Sequence, residues 1–369
     1  MDKGVSKYIT IAVFVAVLAG FFVLNRVIAP PAILESERRP PATSPALTWQ
    51  SFSSDTFAAD FDKWAQDSFA FREGLRMLRA YMVYNVFQQT DKEGLYTGDT
   101  GAGKIQKIDE EAWRQAIGKV NRMAGSIDSP NVYFAVIPDK SLYAGRYLPG
   151  YDAETARRIV GEGLSPSITA IDLTDALTAG DFYKTDLHWS QPMTSEVMAA
   201  LGESMGFDDV SSGDGVYVAG EFKGAYAGQV ALPMQPDVIE YVANGYIDDA
   251  TASYLDPKTA AMQPGRIYYP EAISGGGDPY DFFLNGPQPL IVLETGPETS
   301  GRTLYLFRDS FGSSLGPHFL GAYDKVILID LRYIDSRILS EYVVFEPDSD
   351  ILFLYSSQIL GSPGTLLVN

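Results

Sequence analysis

The chain has 369 residues, enough for one large domain or two modest ones with a sizeable core. Its formal charge of -19 argues against nucleic acid as a partner, because phosphate binding needs a basic surface. With no cysteine, disulfides, Cys-ligated zinc, a thiol nucleophile and a lipoprotein anchor are excluded.

Tyr8–Leu24 is an unbroken run of uncharged, mostly apolar residues behind Lys3 and Lys7. It exceeds a signal-peptide core of about 7–15 residues and is just long enough to cross a bilayer. The nearest small-x-small site, Val27-Ile28-Ala29, is followed by Pro30, a poor start for a mature chain. We expect an uncleaved single-pass anchor, with residues 1–29 forming a cytoplasmic tip and the span. A cleaved signal peptide is the alternative and leaves the same compartment. Basic residues flank the run on both sides (Lys3, Lys7; Arg26, Arg38, Arg39), so charge does not set the orientation.

Residues 30–53, rich in Pro, Ser, Ala and charge, read as a linker. One domain is expected over 54–369. Within 55–89, Phe57, Phe61, Trp64, Phe71, Leu75, Leu78, Met82 and Val86 follow helical three- and four-residue steps, with Gly74 a point of division. Helices are expected at Glu110–Ile127, Asp152–Gly163, Thr174–Ala179, Gln191–Met205 (capped by Ser190) and Asp335–Val343. Strands are expected at Asn131–Ile137, Ile168–Leu173, Pro289–Leu293, Thr303–Phe307, Lys325–Asp330 and Asp350–Tyr355. Strands alternating with helices predict an α/β fold with a doubly wound parallel sheet. Between them, 207–300 is rich in Gly, Tyr and Pro with short alternating runs (Val216–Val218, Val238–Val242, Arg266–Tyr269), and reads as a β-rich insertion.

The strand Thr303–Phe307 runs into Arg308-Asp309-Ser310-Phe311-Gly312-Ser313-Ser314, a turn of small residues at the carboxyl edge of a sheet, where open α/β sheets bind their ligands. Ser310 is the candidate nucleophile, and it needs a base and an orienting acid. The chain has two histidines. His318, eight residues on, would stand roughly 12 Å away along a helix, too far for a hydrogen bond. His188 lies in Asp186-Leu187-His188, where the carboxylate can reach Nδ1 and leave Nε2 facing Ser310. Taken singly, each has a plainer reading: a helix cap, a loop histidine, a turn aspartate. No ligand cluster points to a metal, no glycine-rich phosphate loop is present, and no cofactor is expected.

With Thr185-Asp186-Leu187-His188-Trp189, Phe222-Lys223-Gly224, Asp278–Gly286 and the Arg308–Ser314 block, the chain resembles the DHHW-type branch of the SGNH hydrolase-like proteins, similar to the alginate O-acetyltransferases of the AlgX/AlgJ type. Two positions depart from the pattern: Leu187 replaces the first histidine of the pair, and Ser313 stands where relatives often carry asparagine. The resemblance implies an SGNH-like fold and an extracytoplasmic domain. It implies O-acyl transfer, as O-acetyl, to a cell-envelope or secreted polysaccharide, with Ser310, His188 and Asp186 as the triad and an acyl-enzyme. The backbone N–H groups of Ser310 and Gly312 would form the oxyanion hole. A polytopic membrane acyltransferase would supply the acyl group, since no coenzyme A site is legible. A carbohydrate esterase on the same triad and a non-catalytic polysaccharide-binding or assembly scaffold are the alternatives. Tyr183, Trp189, Tyr280 and Arg308 are candidate substrate contacts, as is Tyr226. Packing is the other role open to Trp189 and the tyrosines, and ion pairing to Arg308. His318 is expected at the surface or in a helix.

Overall fold

The computed structural model describes residues 3–34, 37, 39–54, 56–145, 148, 150–208, 215–296 and 300–369. Arg38, Asp55 and residues 209–214 and 297–299 of the expected insertion lie outside them. The chain divides into two compact units, Met1–Lys92 with Gly228–Pro233, and Glu93–Ala227 with Met234–Asn369.

In the first unit, Lys3–Val27 is one helix, and among the described residues it alone is long and apolar enough to cross a membrane. The helical stretch beyond the linker breaks into Thr56–Asp67, Arg72–Tyr81 and a π-helical turn, Met82–Val86. The break falls at Ser68–Phe71 rather than at Gly74. Phe71 turns left-handed, at φ 60°, and Gly74 stays inside the second helix. Asp67 closes the first helix by accepting from Arg39 Nη1 and Nη2 (2.6 and 2.9 Å) and from the Ala42 N–H (2.8 Å). The linker is therefore stapled to this helix end.

The second unit holds the strands β1 (Leu95–Gly98), β2 (Gly101–Lys104), β3 (Asn131–Ile137), β4 (Thr169–Asp172), β5 (Gly215–Phe222), β6 (Asp237–Ala243), β7 (Thr251–Asp256), β8 (Ala261–Gly265), β9 (Leu290–Glu294), β10 (Thr303–Arg308), β11 (Lys325–Ile329) and β12 (Asp350–Ser356). The main sheet is eight-stranded, in the order β4-β3-β12-β10-β11-β9-β7-β8. From β4 to β11 every pairing is parallel; β9, β7 and β8 continue it antiparallel. Side chains of the central strands alternate between two cores. Tyr305 and Phe307 of β10 join Ile351 and Phe353 of β12 on one face; Leu304 and Leu306 join Leu352 and Leu354 on the other. Helices Glu110–Ala124 and Ala153–Gly163 cover the first face, and Ser195–Met205 with the helical turns of 311–321 the second. Burial on both faces is why these strands read as near-continuous apolar runs.

The fold is the expected doubly wound α/β sheet, with one correction to the insertion. Its strands β7, β8 and β9 extend the main sheet, and only β5 and β6 form a separate antiparallel ribbon. The edge of β11 would otherwise present unpaired backbone groups, and β9 satisfies them. Arg266–Tyr269 is not a strand and contributes a single bridge, Tyr268 to Phe283. Asp335–Val343 is not a helix beyond the 3-10 turn Leu339–Glu341. Thr174–Ala176 and Gln191–Thr194 are likewise 3-10, and Ser190 makes no side-chain cap.

Candidate active site

β10 delivers the chain to Ser310 at the carboxyl edge of the sheet, and the short helix Phe311–Leu315 begins at once. Asp309 sets this turn. Its Oδ1 accepts from the Phe311 N–H (3.0 Å) and its Oδ2 from the Ser356 N–H at the end of β12 (2.7 Å). Behind the turn lies Arg308, 1 % exposed, whose Nη1 donates to Ser313 Oγ (3.0 Å) and stands 3.6 Å from Asp330. Gly312 must be glycine, because a Cβ there would run into the Arg308 side chain.

The Asp186–His188 loop approaches from the preceding segment. His188 Nε2 lies 2.8 Å from Ser310 Oγ, and Nδ1 lies 2.7 Å from Asp186 Oδ1. Asp186 Oδ1 also accepts from the His188 N–H (3.2 Å), and Oδ2 from the Ala225 N–H (3.0 Å). Burial pushes the Asp186 carboxyl up, but the hydrogen bond and charge of His188 and the two backbone donors outweigh it and hold the carboxyl well below the usual range. The loop itself has no regular ladder. Lys140, buried after β3, donates from Nζ to the carbonyls of Ala102 (2.7 Å), Tyr183 (2.7 Å) and Asp186 (3.0 Å). Burial pushes its ammonium down to about 8. Asp237 accepts from the N–H groups of Lys184 (2.8 Å) and Thr185 (2.6 Å). Gly224 fits flat against the loop, where a Cβ would collide with the Thr185 carbonyl and the Asp186 side chain.

The imidazole is also packed in place. Tyr280 stacks on His188 with ring centroids 3.8 Å apart and planes 7° from parallel, and Phe311 leans on it from 4.8 Å. Ser314 Oγ gathers the parts, accepting from Trp189 Nε1 (2.9 Å) and the Tyr280 hydroxyl (2.8 Å). Gln191 Nε2 donates to the Ser314 carbonyl (2.7 Å).

The structure thus brings Ser310, His188 and Asp186 together, and corrects the proposed substrate contacts. Tyr183, Trp189, Tyr280 and Arg308 are all buried. Tyr183 packs with Phe222 and Tyr280, Trp189 is fully enclosed, and the Arg308 guanidinium is sealed behind the turn, so none offers a surface to a polymer. Tyr226 is buried as well. In the expected oxyanion hole, the Ser310 N–H makes no hydrogen bond to a described residue, whereas the Gly312 N–H is committed to the Asp309 carbonyl at 3.1 Å. The Ser313 hydroxyl, for its part, is taken by Arg308. His318 is buried in the 3-10 stretch Gly316–Gly321, not at the surface. The sequence reading missed Lys140, Asp237, Asp309 and Ser314. Only Asp309 and Ser314, inside the serine block, carried a local signal. Among the described residues no group of acidic or histidine side chains is arranged to hold a metal.

No family model matches the chain, and no curated protein matches it in sequence. Solved structures do match it. A DHHW family protein from Eubacterium siraeum superposes with a TM-score of 0.60 at 20% identity, over 76% of this chain and 98% of the other. Bacillus cereus PatB1 superposes at 0.54 and 16% identity, over 72% of this chain and 96% of its own; its form with a sulfonyl adduct gives 0.52. At these identities the likeness is one of fold: the chain has the α/β architecture of these proteins.

Proposed function

We propose that this chain is a membrane-anchored, extracytoplasmic O-acyltransferase that places acyl groups, as O-acetyl, on a polysaccharide of the envelope or one secreted through it. The observation that carries the reading is the pair of short contacts from one imidazole, 2.8 Å to Ser310 Oγ and 2.7 Å to Asp186. A serine hydroxyl is inert at neutral pH without such a base, and the base needs its tautomer fixed. Lys7–Val27 supports the anchor.

In the first half-reaction His188 Nε2 removes the Ser310 proton as Oγ attacks the donor's acyl carbon. The Ser310 N–H donates to the oxyanion. Collapse breaks the bond to the donor's leaving group, which takes the proton from His188, and leaves an ester on Ser310. In the second half, a sugar hydroxyl gives its proton to Nε2 and attacks that ester. Collapse transfers the acyl group to the sugar and returns the proton to Ser310. Asp186 stabilises the imidazolium throughout. A polytopic membrane acyltransferase is the proposed source of the acyl group.

A sulfonyl fluoride reagent tests the nucleophile directly. The folded wild type should gain one sulfonyl group, mapped to Ser310. Ser310→Ala and His188→Ala should gain none, and both should lose acetyl transfer from a model ester to an oligosaccharide. Labelling elsewhere, or full transfer by folded Ser310→Ala, would overturn the covalent mechanism. Release of acetate unchanged by any saccharide acceptor would make the enzyme an esterase.

A further inference from the structure

The helix Arg72–Tyr81 is amphipathic the wrong way round for a water-soluble surface. Arg72, Arg76 and Ala80, at i, i+4 and i+8, turn inward. Arg72 pairs with Glu37 and Glu73, and Arg76 pairs with Glu73 and donates to the Gly228 carbonyl at 3.0 Å. The opposite stripe, Phe71, Leu75 and Leu78, is 60%, 40% and 56% exposed. Helices in water bury the apolar face and solvate the charges. Here Arg72 and Arg76 are held by carboxylates and a carbonyl, Arg79 is exposed at the flank, and the apolar stripe is left facing out.

The same unit fixes the height of this helix against the apolar span. The Phe69 ring stacks on Phe21 at 5.2 Å, and the Ala70 N–H donates to Asn25 Oδ1 at 2.7 Å. Phe21 and Asn25 lie in the last two turns of Lys7–Val27, so at 1.5 Å per residue these contacts fall within about 9 Å of where the helix ends. That is the depth of the headgroup and acyl boundary, where apolar helix faces bury about 5–10 Å. Phe71 opens the exposed stripe directly after Ala70.

We propose that Arg72–Tyr81 is an interfacial helix, seated in the outer leaflet of the bilayer that Lys7–Val27 spans, with Phe71, Leu75 and Leu78 in contact with lipid. The occupant is the bilayer because Phe69 and Ala70, held against Phe21 and Asn25, set the start of the exposed stripe beside the end of the span. The inference rests on Lys7–Val27 being a spanning helix, so the experiment must separate the two.

The chain has no cysteine, which allows single spin labels in the otherwise intact full-length protein. Phe14→Cys would report the span, Leu75→Cys and Leu78→Cys the stripe, and Asp175→Cys an exposed 3-10 turn of the second unit. The labelled proteins would be placed in nanodiscs of phosphatidylcholine and phosphatidylglycerol. Accessibility to oxygen, which concentrates in lipid, would be compared with that to a water-soluble nickel chelate. Labels at Leu75 and Leu78 should fall between the two controls, with oxygen accessibility above and nickel accessibility below that of Asp175, and less extreme than at the deeper Phe14. If Leu75 and Leu78 are as open to nickel as Asp175 while Phe14 is not, the span stands and the interfacial helix is overturned. If Leu75 and Leu78 are shielded from both reagents, protein covers the stripe and the proposal fails. If Phe14 is open to nickel, the span itself fails, and the interfacial helix with it.

Discussion

The two halves of the site are held by different means. The Ser310 turn is a product of the sheet: β10 is buried between β11 and β12, and Asp309 ties the turn to the end of β12 through one backbone N–H. The Asp186–His188 loop has no such scaffold. Backbone bonds close and hold it outside any ladder, Tyr183 N–H to the His188 carbonyl (3.0 Å), Ala102 N–H to Lys184 (2.7 Å) and Tyr226 N–H to Thr185 (2.9 Å), and buried polar side chains from distant segments add to them, Lys140 on the Tyr183 and Asp186 carbonyls and Asp237 on two N–H groups. A turn at the end of a paired strand has its path set by the sheet, with Asp309 and Gly312 fixing the last step. A loop held by scattered backbone bonds and two buried polar side chains is more exposed to the loss of one of them.

The sharpest break in this contrast is Asp186→Asn. It keeps the shape and removes the charge that fixes the His188 tautomer, so kcat should fall about 10³–10⁴-fold with folding retained. The same carboxyl should leave a mark on stability. Its folded pKa lies below its unfolded one, so its contribution is fully present above about pH 4 and is lost as pH falls through the folded value. Denaturant titrations from pH 7 to pH 2 should show a steeper acid limb for the wild type than for Asp186→Asn; parallel limbs would refute the depressed pKa.

Next in size is Lys140→Met, which touches no reacting atom. Three buried carbonyls lose their donor, and the loop should loosen, costing about 3 kcal/mol of stability and about 10²-fold in kcat. Sulfonyl labelling of Ser310 should slow by a similar factor, because His188 would no longer be held against it. A variant of unchanged rate would show that the loop is held by something other than this lysine.

Tyr280 separates stacking from hydrogen bonding. Tyr280→Phe keeps the ring on His188 and loses only the bond to Ser314, so kcat should fall less than about threefold. Tyr280→Ala removes the stack and should cost about tenfold or more. Equal losses in the two variants would place the whole effect in the hydroxyl. The smallest effect belongs to His318→Ala, which should cost some stability, since the ring is buried, and leave kcat within about twofold.

The sequence by itself determined the alternation of the central sheet. β3, β10, β11 and β12 are legible because a strand buried on both faces must be apolar along its whole length. It also singled out the side chains that the structure brings together: with two histidines and one Asp-x-His, His188 was the one with a carboxylate at hand. Tertiary structure decided what no local pattern encodes. Whether β7 and β8 join the main sheet depends on which edge needs a partner, and their own residues do not record it. Lys140 looks in sequence like an ordinary surface lysine after a strand, and only burial among three carbonyls makes it the post on which the His188 loop hangs. Tyr183, Trp189, Tyr280 and Arg308 have the chemistry of sugar and anion contacts. Their side chains turn inward, Trp189 and Tyr280 onto Ser314 Oγ and Arg308 onto Ser313 Oγ, so they pack and bond behind Ser310 and His188.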